Sequence, residues 1–266
     1  MKIKISIFLI LILYGCKNHK NEVLEIKNWD FEYNGKWLKA GVPGNNFSDL
    51  LTYDIIPDPF YGTNEDSVQW VSDKAWTYKS EFKLSNNFLA KNQHEIIFNG
   101  LDTYSKVYLN DSLILNSNNM FRSWSIPLKN ILKENNTLII NFLPTTIHEN
   151  KKEQSLGYKL PGGGKVHTRK AGFHYGWDWG PKLSVAGIWK SVELKGYSKS
   201  YIKEIYIEQV EILDSIANLK INLELEVLNS GQYSLLVNDK DYKIKLKKGK
   251  QKISLDYDIL NPTLWW

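Results

Sequence analysis

With 266 residues, 42% of them hydrophobic, the chain is long enough to bury one large core or two ordinary ones. A single cysteine excludes a disulfide-held fold, and the formal charge of +5 is dispersed among acids. The longest basic cluster, Lys243 to Lys252, alternates with Ile244, Leu246 and Ile253 as a strand with a solvated face does; no recognised module accompanies it, which excludes nucleic acid as a partner.

Lys2 and Lys4 precede an apolar run from Ile5 to Leu13, and Gly15 and Cys16 follow. A bilayer span needs about 20 apolar residues, so this shorter run reads as a secretory leader. Leu13-Tyr14-Gly15-Cys16 resembles the lipobox of bacterial lipoproteins. The expectation is cleavage before Cys16, lipidation of Cys16, and an exported protein anchored to a bacterial membrane. The alternative is an ordinary leader in which Cys16 is incidental. Residues 17–24 are polar and read as a tether.

Short alternating or apolar runs then recur between Gly, Pro, Asn and Asp: "WTYKSEFKL" (76–84), "HEIIFNGL" (94–101), "SKVYLNDSLIL" (105–115), "NTLIINFL" (136–143) and "GIWKSVELKGY" (187–197). This spacing predicts an all-β antiparallel sandwich over residues 25–197. Asn110-Asp111 marks a hairpin, and "SIPLKNILKENN" (125–136) reads as a helical turn or connector. From Ser198 the aromatics thin out and the alternation becomes cleaner, as in a smaller immunoglobulin-like sandwich. Such a domain needs about 100 residues, more than residues 198–266 provide, and "NPTLWW" places two large apolar side chains at the end. The expectation is a truncated second sandwich.

Several stretches nominate no chemistry. "PGGGKVHT" (161–168) lacks the glycine spacing of a phosphate loop, and Val166 stands where a magnesium-binding hydroxyl belongs. His167 and His174 have no third ligand type nearby, so no metal centre is nominated. Glu65, in "DPFYGTNEDS", lies in a loop without a partner carboxylate, and reads as structural instead of catalytic.

"AGFHYGWDWGPKL" (171–183) sets Asp178 between Trp177 and Trp179. Indole stacks on the C–H face of a sugar ring, and a carboxylate accepts two hydroxyl hydrogen bonds at once. The pattern therefore suits one pyranose. It equally suits a strand edge with both indoles on one face and Asp178 paired to Arg169 or Lys170 on the other.

"IPDPFYGTNE", "WVSDKAWTYKSEF", "FNGLDTYSKVYLND", "NMFRSW" and "RKAGFHYGWDWGPKL", in that order, resemble the N-terminal region of β-mannosidases of glycoside hydrolase family 2. The resemblance implies a jelly-roll sugar-binding sandwich, an immunoglobulin-like sandwich, and a (β/α)8 barrel that carries both catalytic glutamates and acts by a retaining mechanism without a cofactor. It implies that Trp177, Asp178 and Trp179 bind the terminal mannose of a glycan, with Arg169 and Tyr175 supporting Asp178. Residues 1–266 contain no barrel, so no catalytic residue is expected among them. Two roles remain open: part of a β-mannosidase, or a stand-alone carbohydrate-binding lipoprotein.

Overall fold

A computed structural model describes residues 20–264. The expected leader and lipidation site, Cys16, and Trp265-Trp266 lie outside the described residues.

The chain runs through β1 (Glu22–Glu25), β2 (Trp29–Tyr33), β3 (Lys36–Ala40), β4 (Trp76–Lys83), β5 (Gln93–Phe98), β6 (Leu101–Asp102), β7 (Tyr104–Leu109), β8 (Ser112–Asn118), β9 (Trp124–Leu128), β10 (Asn135–Phe142), β11 (Gly187–Ile188) and β12 (Val192–Tyr197). These strands form two antiparallel sheets, one in the order β3-β2-β4-β10-β7-β8 and one in the order β1-β12-β5-β9, with β6 and β11 paired beside them. The all-β sandwich follows from strict alternation. On β4, Trp76, Tyr78 and Ser80 are buried, and opposite them on β10 stand Phe142, Ile140 and Leu138. Ile96 pairs with Leu194, and Phe98 with Val192, on the facing sheet. Tyr78 meets Phe142 edge to face at 5.7 Å. The Tyr78 hydroxyl reaches this core by donating to Asp49 Oδ2 at 2.8 Å.

Two expectations change, and one element is new. Residues 17–24 are not all tether, because Glu22–Glu25 is a strand paired with Glu193–Gly196. Residues 125–136 contain no helical turn: Trp124–Leu128 is the edge strand β9, followed by a connector. Pro127 fits there, since an edge strand tolerates the missing N–H. A helix, Thr145–Leu156, occupies a stretch without helical periodicity. The hairpin at Asn110-Asp111 is present, both residues at positive φ as a tight two-residue turn requires.

After Tyr197 come β13 (Ser200–Ile212), β14 (Ile216–Val227), β15 (Gly231–Val237), β16 (Lys240–Leu246) and β17 (Gly249–Leu260). β13-β14-β17 form one sheet and β15-β16 a hairpin. Their separate core is small, built on Ile221, Leu223, Leu225, Val227, Leu246 and Tyr257.

Candidate functional site

The stretch between the helix Thr145–Leu156 and β11 carries the aromatic motif. Glycines shape it. Gly157 closes the helix in the left-handed conformation, and Gly162 and Gly163 turn at positive φ into the 3-10 turn Gly163–His167. A second 3-10 turn, Gly172–Tyr175, leads to Gly176 at φ 92°. Trp177 and Gly180 then exchange both backbone hydrogen bonds at 3.2 Å. Asp178 and Trp179 therefore sit at the tip of a tight turn. The strand-edge reading fails on this geometry.

Trp177 is 61% exposed and Trp179 84% exposed, their rings meeting edge to face at 6.0 Å. Among the described residues, no hydrogen bond or ion pair engages the Asp178 carboxylate. The turn forms one wall of an open groove of about 920 Å³. Tyr175 lines this groove with Trp177, Asp178 and Trp179. Arg169 does not: its side chain is exposed outside the lining, because the backbone of Asn119 and Met120 bridges to residue 169. The structure therefore does not bring Arg169 into the groove with Asp178.

The neighbouring residue, Lys170, turns inward instead. Its side chain is 0% exposed and donates to Asp102 Oδ1 at 2.6 Å and to the Val185 carbonyl at 2.5 Å. One ammonium thus ties the outgoing limb of the motif to β6 and to its own returning limb. Burial pushes the Lys170 pKa down, against the attraction of Asp102. His174 Nδ1 lies 3.4 Å from Asp102 Oδ2. Burial first, then repulsion by Lys170, lower the His174 pKa to about 4 despite Asp102, so the ring is neutral at pH 7.

The unforeseen helix supplies a second support. Tyr175 donates its hydroxyl to the buried carboxylate of Glu149, and burial followed by that bond raises the phenol pKa. Gly164 packs so closely on Glu149 that a Cβ there would lie 2.8 Å from the Glu149 Cβ.

The third support is Glu65. Its Oε1 accepts from the Lys182 backbone N–H at 2.7 Å, and Gln69 Nε2 donates to the Lys182 carbonyl at 2.9 Å. Glu65 lines the groove while holding the stem of the turn. Behind the stem, Ala186 N donates to Asn46 Oδ1 at 2.9 Å. Among the described residues, no three His, Cys, Asp or Glu side chains gather as metal ligands. No helix in the described part is long and apolar enough to cross a membrane.

Sequence reasoning missed Asp102 and Glu149, and gave Lys170 only as a partner for Asp178. Their partners are distant in the chain, so no local pattern announces them. Only the glycine and aromatic density of the motif gave a signal.

Residues 22–190 match the family described as glycosyl hydrolase 2 galactose-binding domain-like. The chain is 31% identical over 261 residues to β-mannosidase B of Emericella nidulans, covering 90% of this chain and 31% of that protein. It is 30% identical over 290 residues to the β-mannosidase of Capra hircus, covering 97% of this chain and 33% of that protein. The chain thus spans about a third of the length of these relatives. The crystal structure of a β-D-mannosidase from Dictyoglomus thermophilum superposes with a TM-score of 0.85 at 33% identity, over 92% of this chain and 32% of that one. An Amycolatopsis orientalis exo-chitosanase superposes at 0.70 with 14% identity over 92% of this chain and 30% of that one, a likeness of fold alone. The chain belongs to the glycosyl hydrolase 2 family of galactose-binding-like domains.

Proposed function

We propose that this chain is the sugar-recognition part of a β-mannosidase that removes terminal β-D-mannose from the non-reducing ends of glycans with retention of configuration. The single observation that carries the reading is the uncommitted carboxylate of Asp178, held between two exposed indoles on a turn braced from three sides. A carboxylate without a protein partner has lone pairs free for sugar hydroxyls, and adjoining indoles strengthen those bonds by excluding water. Retention requires two carboxyl groups about 5 Å apart across the scissile bond. Of the groove's carboxylates, Glu65 already holds the Lys182 amide and Asp178 binds hydroxyls. The catalytic pair therefore comes from another part of the enzyme, closing over the groove. The reaction needs no cofactor. Lipid on Cys16 would anchor the exported protein to a bacterial membrane.

The second reading, a carbohydrate-binding lipoprotein without turnover, is favoured by that same lack of a spare carboxylate pair in the groove. Two measurements separate them. The 266-residue chain should not hydrolyse an aryl β-mannoside, whereas a fusion of it to a catalytic barrel of a β-mannosidase should. In that fusion Asp178→Asn should lower kcat/KM by about 10- to 150-fold, the worth of a charge-assisted bond of about 1.5–3 kcal/mol. Unchanged activity in Asp178→Asn would sink the enzyme reading of this site.

A further inference from the structure

We infer that Phe60 is the platform of a second sugar subsite, so that the groove takes a neutral β-linked oligosaccharide across at least two rings. The inference rests on the sugar-pocket reading above and extends it to the residue next to the terminal sugar.

A groove of about 920 Å³ lies near the top of the range for small-molecule sites, about 300–1,000 Å³. The aromatic turn forms one wall, and the loop Pro59, Phe60 and Gly62 forms another. Phe60 is 73% exposed, so its ring contributes little to the fold. The backbone beneath it is nonetheless held. Phe60 N donates to Asp58 Oδ1 at 2.9 Å, and Asn64 Nδ2 donates to the Asp58 carbonyl at 2.9 Å. The same loop ends at Glu65, which grips Lys182 at the stem of the aromatic turn. The two walls are therefore fixed to one another by a direct hydrogen bond. A rigid loop that presents an uncovered ring to a polar groove is built as a stacking surface, since ordering it for the ligand costs little further entropy.

The charges in the groove favour an uncharged ligand. Lys165 and Lys182 bring two ammonium groups, Lys170 a third that Asp102 neutralises, and Glu65 and Asp178 two carboxylates. The sum is zero, and both kinds of group bond hydroxyls.

The test uses the chain as it stands, titrated with D-mannose and with β-linked mannobiose by ligand-observed NMR. Stacking worth about 0.5–1.5 kcal/mol predicts that mannobiose binds about two- to twelvefold tighter than mannose. Phe60→Ala and Phe60→Leu should both erase that advantage while leaving mannose affinity unchanged, and Phe60→Trp should keep it. Melting temperatures verify that the exposed substitutions leave the fold intact. Equal affinity of the wild-type chain for the two sugars overturns the subsite. So does a Phe60→Ala variant that keeps the ratio, or one that weakens both sugars equally, as a loss of partner packing or loop order would. If neither sugar binds the wild-type chain, the sugar-pocket reading itself falls and takes the subsite with it. Mannose binding that survives without a mannobiose preference fails the subsite alone.

Discussion

Asp178 and Lys170 belong to one loop, yet removing their charges should have opposite consequences. Asp178 is exposed and without a side-chain partner among the described residues. Asp178→Asn should therefore leave stability within about 0.5 kcal/mol of wild type while weakening sugar binding. Lys170 is fully buried and bonds Asp102. Lys170→Met leaves that carboxylate buried and unpaired, which should cost about 3–5 kcal/mol in a urea melt. A large loss from Asp178→Asn instead would make the motif a structural pair. His174 adds a pH signature. Its folded pKa, about 4, lies below its ordinary value of 6.5, so the unfolded chain binds the proton first. The resulting sign is definite: stability is retained above pH 6.5 and falls as pH drops through 4. His174→Gln should flatten the melting temperature across that window.

At the level of elements, the loop is positioned by contacts between backbones. A Cβ on Gly187 would lie 2.7 Å from both the Asn45 Cα and the Gly44 carbonyl oxygen, with no flexible side chain to yield. Gly187→Ala should cost about 1–3 kcal/mol and loosen the returning limb, seen as faster amide exchange at residues 183–188. Glu65 permits a sharper test. Glu65→Gln keeps an acceptor for the Lys182 amide and should preserve sugar binding; Glu65→Ala loses about 0.5–1.5 kcal/mol of that bond and should weaken it. A catalytic acid would show the reverse sensitivity, losing all turnover on Glu65→Gln. These elements also mark where the sequence was legible. Strands such as β4 and β10 announce themselves because one face is buried and the other is not. The helix Thr145–Leu156 does not, since it buries only Thr145 and Glu149 and serves through a polar contact to Tyr175. The density of aromatic residues singled out Trp177, Asp178 and Trp179, and the structure sets them together on one turn at the groove. The choice between Arg169 and Lys170 was not legible, because adjacent residues point oppositely and the pairing with Asn119 decides which turns inward.

For the whole molecule, the two cores differ in depth. The first holds fully buried Trp76, Tyr78, Phe31, Phe88, Phe98 and Phe142, whereas no side chain that large is fully buried in the second. β13 is an edge strand whose Ile202, Ile205 and Ile207 stand opposite the core-facing Leu225, Leu223 and Ile221 yet remain exposed. In this chain, limited proteolysis should remove residues beyond about 198 before the sandwich yields, and amide exchange should be faster there. Equal protection of both parts would contradict this. The double grip of Lys170 reaches further than stability. By bonding the Val185 carbonyl it brings residues 170 and 185 together, while Glu149 and Glu65 hold Tyr175 and Lys182, so the sandwich senses the limbs of the loop and little of its tip. Residues 177–180 then behave as an interchangeable cassette: their sequence can drift, lengthen or be exchanged to read another sugar while the closure beneath them, and the fold that depends on it, stays the same.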